Sequence, residues 1–340
     1  MDSRRNLFGG IMKTVLLTGG VGFIGHHTTE HILRNTSWNI VIIDRLTYAG
    51  NINYLTDMEC WAGNKHRVKF IYHDLRSPFS ETTISLLGKI DYIIHMAAET
   101  HVDKSIEDPM PFAESNVIGT VNMLELAKKL DPEKFIYIST DEVYGPTKDG
   151  KLHKEGEPHK PSNPYSASKS GAEAFCYSYW NTYGLPVIIT NTMNNYRERQ
   201  HPEKFVPKTV KAIMQGKKVT LHCKTENKKV VEVSSRCWLH ARNHADGILY
   251  VIKYGQLGEN YNITGEHATV EELADMIGEI LGQRVIKNFI DFHAFRPGHD
   301  MHYGLDGSKL KELGWKPPKS LKNSLVKTIE WMKENPKWLL

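Results

Sequence analysis

Four glycines, Gly19, Gly20, Gly22 and Gly25 in TGGVGFIG, separate the apolar run KTVLLT from a helix-forming stretch between about Phe23 and Arg34. Glycine at such a junction permits a tight turn and lets backbone amides approach a pyrophosphate at a helix N-terminus. A second apolar run, NIVIID, ends at Asp44, nineteen residues beyond Gly25. A carboxylate there can hydrogen-bond a ribose diol and would repel a 2′-phosphate, so this β-turn-α-β unit predicts NAD rather than NADP. Gly19, Gly22, Phe23, Ile24, Gly25 and Asp44 are therefore the first candidate cofactor residues.

More apolar runs follow at Val68 to Tyr72, Asp91 to Ala98, Lys134 to Thr140 and Pro186 to Thr190, with helical-length segments between most of them. Continuous runs of this kind alternating with helices predict an α/β chain, a Rossmann-type doubly wound parallel sheet covered on both faces. Asp74, after the third run, reads either as an adenine contact or as a solvated turn acid, and Leu75 beside it is a further candidate cofactor residue. Beyond about Thr192 the rhythm shifts to longer loops and charge runs, ending in an amphipathic segment from about Leu321 to Lys333. The expected division is a flexible leader over 1–11, an NAD-binding part over 12–192 with segments near 240–263 returning to it, and a smaller, mainly substrate-binding C-terminal lobe over 193–340.

Composition narrows the function classes. The 43 basic and 39 acidic residues leave a net charge of +4 spread along the chain, which gives no reason to expect a nucleic-acid partner. No apolar run approaches the roughly 18 residues of a spanning helix, so no membrane is expected. Cys60, Cys176, Cys223 and Cys237 form no Cys-x-x-Cys pair. Neither a metal site nor a disulfide framework follows, and a reducing, cytoplasmic setting does.

Two clusters carry chemistry. Tyr165 and Lys169 in YSASK are four residues apart, so on a helix they project from one face. An ammonium there is expected to lower the phenol's pKa, letting the tyrosine remove a hydroxyl proton as hydride leaves carbon. Thr140, Asp141 and Glu142 follow the run KFIYIST, at the carboxyl end of a strand where open parallel sheets bind ligands. They read either as a solvated loop or as an acid and base pair; were their pKa values pushed apart, one could protonate a leaving hydroxyl while the other removed a carbon-bound proton.

TGGVGFIG, DRLTYAGN, HMAAETHVDKS, STDEVYG and YSASK together resemble the extended short-chain dehydrogenase/reductases, specifically the nucleotide-sugar 4,6-dehydratases, from about Lys13 to Trp331. That resemblance implies an NAD-dependent hydro-lyase in which Tyr165 takes the 4-hydroxyl proton, Glu142 the C5 proton, and Asp141 protonates the departing 6-hydroxyl. Thr140 would hydrogen-bond the sugar oxygen at C4, Lys169 would hold the nicotinamide ribose, and Ala97, Ala98 and Thr100 would line the cofactor's passage. Ser105, Asn194, Asn195, Lys204, Arg236, Asn262, Arg296, His299 and Tyr303 would face the nucleotide-diphosphate sugar. A homodimer is implied too, through a four-helix bundle drawn from Phe112 to Leu130 and Ser166 to Tyr183.

The chain departs from that pattern in its second half. Arg197, Glu198 and Arg199 stand where the family has small residues, and read either as extra anion contacts or as loop charges facing water. The family's acids are missing at Cys237, Arg242 and Asn243, and the lysine-rich stretch before Ser234 is longer than the usual glycine turn. Expected activity is therefore 4,6-dehydration, most simply of dTDP-glucose. A UDP- or GDP-linked sugar including an N-acetylhexosamine, a UDP-sugar 4-epimerase or decarboxylase, and a catalytically silent NAD-binding regulator remain alternatives.

Overall fold

The computed structural model describes residues 12–147, 151–227, 229–291 and 301–339. The expected leader, residues 1–11, and the candidate substrate residues Arg296 and His299 lie outside the described residues. In chain order the strands are Thr14–Thr18 (β1), Asn39–Asp44 (β2), Val68–Tyr72 (β3), Tyr92–His95 (β4), Lys134–Thr140 (β5), Val187–Thr192 (β6) and Asn194–Tyr196 (β7). They continue with Val219–Glu226 (β8), Lys229–Val233 (β9), Ser235–His240 (β10), Asn260–Ile263 (β11), Glu266–Thr269 (β12) and Lys287–Asp291 (β13).

Seven strands form one sheet in the order β3-β2-β1-β4-β5-β6-β11, and every pairing in it is parallel. This is the doubly wound Rossmann order extended by one strand, and it reverses between β1 and β4, where such sheets open a crevice at their carboxyl ends. The apolar runs are continuous because both faces are covered. Val15, Leu17, Ile40 and Ile42 point into one core with Trp38 and Ile248. Leu16, Val41 and Ile43 point into the other with Met123 and Leu124. Each of these side chains contributes about 1.5–3 kcal/mol by leaving water.

The remaining strands form two three-stranded sheets, β12-β10-β7 and β13-β8-β9. Helices Phe205–Met214, Val270–Leu281 and Leu321–Glu334 bury Val210, Leu273, Leu325 and Ile329 against them. The lysine-rich stretch before Ser234 is the β8–β9 hairpin, and its edge strand leaves Val230 and Val231 exposed.

Arg197 and Arg199 are neither anion contacts in the crevice nor charges facing water. Arg197 is buried, donating to His240 Nε2 at 2.6 Å and pairing with Glu198. Arg242 bridges Glu30 of the first helix, Phe23–Asn35, at 2.7 Å and Glu198 at 3.5 Å. Arg199 donates to Asp57 O at 3.0 Å and lies over the Trp331 ring. The charges that depart from the family pattern thus fasten the loop after β7 to the first helix. Among the described residues no helix is long and apolar enough to cross a membrane, and no group of three or more His, Cys, Asp or Glu is arranged to hold a metal ion.

Candidate active site

The crevice at the carboxyl ends of the strands encloses about 510 Å³. It is lined by Gly19, Gly22, Phe23, Ile24, Gly25, Asp44, Asp74, Leu75, Ala97, Ala98 and Thr100 on the β1–β4 side. Thr140, Asp141, Glu142, Tyr165 and Lys169 form its centre, and Asn194, Asn195, Lys204 and Arg236 its far wall.

The glycine turn fits a pyrophosphate because backbone must come close there. Gly19 has φ +72°, a left-handed value that favours glycine. A Cβ on Gly25 would stand 1.9 Å from Gly19 O. No side chain caps the first helix, whose opening residues Phe23 and Ile24 line the crevice. Asp44 accepts the backbone amides of Leu46 at 2.9 Å and Val21 at 3.4 Å, while burial pushes its pKa up. These residues suit NAD. Asp74 is less free than its position suggests: Arg76 holds it from 2.7 Å, Arg45 from 3.4 Å, and the Arg76 hydrogen bond above all keeps its pKa at about 2. Gly25→Ala is expected to purify with less than about a tenth of the wild-type bound NAD, since the clash is with backbone. Absorbance of cofactor released on denaturation checks this, and full occupancy would contradict it.

The reactive groups sit where β5 ends and the helix Pro164–Tyr183 begins. Asn163 caps that helix by accepting from Ser166 N at 2.9 Å, and its Nδ2 donates to Glu142 Oε2 at 3.1 Å. One residue thereby orients both the Tyr165 helix and the Glu142 carboxylate. Sequence reasoning missed it, although an asparagine before Pro164 is a helix-start signal. The Thr140 hydroxyl donates to Asp141 Oδ1 at 3.0 Å and accepts from the Glu142 amide at 3.4 Å. Burial first, and then the neighbouring Glu142 charge, raise Asp141 to a pKa of about 7. A carboxyl poised there can hold a proton at neutral pH and give it up.

Tyr165 behaves differently from the sequence expectation. Burial, followed by the charge of Glu142, raises its pKa, so that in the chain by itself the phenol keeps its proton. Lys169 turns elsewhere: its ammonium donates to Ile138 O at 2.6 Å and lies 4.3 Å from the Tyr137 ring centre. Burial lowers Lys169 to about 8, while Glu173 opposes that shift.

On the far wall, Asn195 donates to Met193 O at 2.9 Å, and Lys204 lies 3.5 Å from Glu203. Arg236 donates to Ser235 O and Met301 O, both at 2.6 Å, and stands 4.7 Å from the Tyr303 ring. Tyr303 itself is buried behind Arg236 and does not line the crevice. Ser105 is fully buried; its hydroxyl donates to Val102 O and accepts from Tyr165 N, so it supports the tyrosine's helix instead of facing substrate. Asn262 is corrected likewise. Its Nδ2 ties His153 O to Asp306 O, away from the crevice, because β11 is drawn into the sheet beside β6. Unforeseen at the mouth is a bridge between the two walls, in which Tyr48 Oη donates to Glu203 at 3.5 Å and His101 approaches the same carboxylate at 3.6 Å.

The family model described as GDP-mannose 4,6 dehydratase matches residues 16–328. The dTDP-glucose 4,6-dehydratase of Shigella flexneri is 36% identical over 96% of this chain and 94% of its own length. The human dTDP-D-glucose 4,6-dehydratase is 36% identical over 96% and 92% respectively. Among solved structures, the Streptomyces venezuelae dTDP-glucose 4,6-dehydratase with NAD bound superposes with a TM-score of 0.84 at 35% identity, covering 96% of this chain and 98% of that one. A Thermus thermophilus UDP-glucose 4-epimerase with NAD gives 0.81 at 26% identity, covering 94% and 99%.

Proposed function

Because the chain belongs to the GDP-mannose 4,6 dehydratase family, we propose that it dehydrates dTDP-glucose to the 4-keto-6-deoxy sugar nucleotide with its own residues in the following roles. It is an NAD-dependent hydro-lyase. When bound, NAD would supply reversible hydride chemistry, as acceptor for C4 and donor for C6. Gly19, Gly22 and Gly25 leave room for the pyrophosphate, Asp44 takes the adenosine ribose, and Ala97, Ala98 and Thr100 flank the nicotinamide half. The positive charge of bound NAD⁺ would favour the Tyr165 phenolate over the phenol of the chain by itself, and that phenolate accepts the proton of the 4-hydroxyl while Thr140 orients the hydroxyl.

A carbonyl at C4 makes the C5 proton acidic, and Glu142, held by Asn163, removes it. Asp141 gives its proton to O6, which leaves as water, and Glu142 returns its proton to C5 as C6 regains hydride. The observation that carries this reading is the pair itself: an acid raised to about 7 beside a second carboxylate at the end of β5. A 4-epimerase expels no hydroxyl and needs no such acid. Arg236, Lys204, Asn194 and Asn195 supply the polar wall for the diphosphate and sugar.

The NAD-binding part comprises residues 12–192 with segments near 240–263, and residues 193–340 mainly serve the substrate. On the same reading the protein is cytoplasmic and a homodimer through the helical stretches Phe112 to Leu130 and Ser166 to Tyr183. Support for the dimer comes from Ile118, Phe175, Tyr177 and Tyr183, which are exposed beside or on these helices. Incubation with dTDP-glucose, UDP-glucose, GDP-mannose and a UDP-N-acetylhexosamine, followed by mass spectrometry, tests the substrate. The dTDP sugar is expected to lose water with the highest kcat/KM; faster loss from another nucleotide overturns the assignment.

A further inference from the structure

On the proposed reading two adjacent carboxyls must start the elimination in opposite protonation states, Glu142 without a proton and Asp141 with one. Both follow Thr140 at the end of β5, and both line the crevice. Their hydrogen-bond surroundings differ. Asp141 is 4% exposed; its Oδ1 accepts the Thr140 hydroxyl at 3.0 Å, and its Oδ2 is buried with no hydrogen-bond partner among the described residues. Burial of that kind disfavours the charged form. Glu142 Oε2, by contrast, accepts from Asn163 Nδ2 at 3.1 Å.

The side chain of Asn163 has two unlike ends, and the start of the helix Pro164–Tyr183 dictates which of them meets Glu142. Its Oδ1 accepts from Ser166 N at 2.9 Å, and Ser166 Oγ closes a capping box by accepting from Asn163 N at 3.2 Å. A helix cap has to accept. The amide therefore cannot turn over without giving up the cap, and Nδ2 is held toward Glu142 as a donor. A donor favours a carboxylate over the acid. Asn163 is 5% exposed and does not line the crevice, so it reaches the reaction only through Glu142.

We infer that Asn163 is a positioning residue that fixes the division of labour between the two carboxyls: its amide, locked by the helix cap, keeps Glu142 as the base and leaves Asp141 as the acid. This rests on the dehydratase reading of the site. No bond to Asn163 is made or broken during turnover. Tyr165 of the same helix, and Arg236 and Cys237 of β10, also act on the pair and are unchanged in the variants that follow.

A residue that only capped the helix could be replaced by aspartate, which caps as well as asparagine. Asn163→Asp keeps the size and the cap but turns an acceptor toward Glu142 Oε2, so that like charge disfavours the base. Quench-flow mass spectrometry of the NAD-loaded protein with dTDP-glucose, across a pH series, follows C4 oxidation and water loss separately. In Asn163→Asp the acidic limb of water loss is expected to move up by about one pH unit or more, a slowing of about tenfold or more on that limb. The 4-keto sugar that still carries its 6-hydroxyl is expected to accumulate, with KM little changed. Asn163→Ser, whose shorter side chain caps without reaching Glu142, is expected to move the limb in the same direction by less. An unmoved limb in Asn163→Asp with its bound NAD retained overturns the inference. Should the aspartate cost the protein its NAD, Asn163→Ser takes its place: a displaced limb supports the inference and an unmoved one overturns it. Failure of the underlying reading looks different, because then the wild type loses no water from the sugar nucleotide at all.

Discussion

Asp141→Asn and Glu142→Gln are each expected to cut the dehydration rate by about 10²–10⁴-fold, the range for removing a positioned acid or base. KM is expected to change little, since both groups act on protons of the substrate and the diphosphate wall is untouched. Asparagine keeps the size of Asp141 and its contact with Thr140, but has no proton of comparable acidity to give to O6. Glutamine can still be oriented by Asn163, yet cannot accept the C5 proton. Combining the two is expected to cost much less than the product of the single losses, because acid and base serve one elimination. Steady-state assays by mass spectrometry decide this, and a Glu142→Gln protein within tenfold of wild type would remove the proposed base from the mechanism.

A progressive loss of folding stability is expected as the pH falls below about 6.5. Six histidines are held neutral by burial. The pKa falls to about 4 at His31, about 3 at His95 and His244 and about 2 at His240, and lies well below its ordinary value at His26 and His27. Arg197 and Arg242 push the same way on His27 and His240, while Glu30 opposes at His26 and His31.

A histidine with a lowered folded pKa costs nothing above about 6.5, and takes up a proton only on unfolding once the pH falls below that. Asp141 and Glu173, both raised to about 7, do the reverse and offset two of the six. Because more of these histidines take up protons on unfolding than the two carboxyls release, unfolding binds protons below about pH 6.5 and stability falls with pH. Urea unfolding at pH 7.5, 6.0 and 5.0 is expected to show a midpoint that collapses across the series. His244→Leu, which removes a ring whose two nitrogens lack partners, is expected to shallow the slope by one proton. A midpoint constant across these pH values would contradict the account.

What could be read from the sequence followed from local physics. The apolar runs that became β1 to β6 are continuous because both sheet faces are buried, and the glycine turn and STDEVYG announce their places at strand ends. What could not be read depended on partners distant in the chain. Arg242 finds Glu30 across 212 residues and Arg197 finds His240 across 43, so Arg197, which read either as an anion contact or as a loop charge, is part of an internal fastening instead. Asn262 sits in a segment that matches the family, but its amide serves loop carbonyls at His153 and Asp306. Lys169 shares the crevice-lining helix with Tyr165, but its ammonium goes to Ile138 O, and the direction of the Tyr165 shift turns on burial, which spacing does not report.

The central claim is that redox and elimination close on themselves within one site. Its most direct measurement is the mass of the product, together with the number of turnovers per bound NAD, when the purified protein meets excess dTDP-glucose without added oxidant. The account predicts a product lighter by one water, formed over many turnovers for each NAD. A product of unchanged mass, or a reaction that stops after one turnover per NAD, would contradict it.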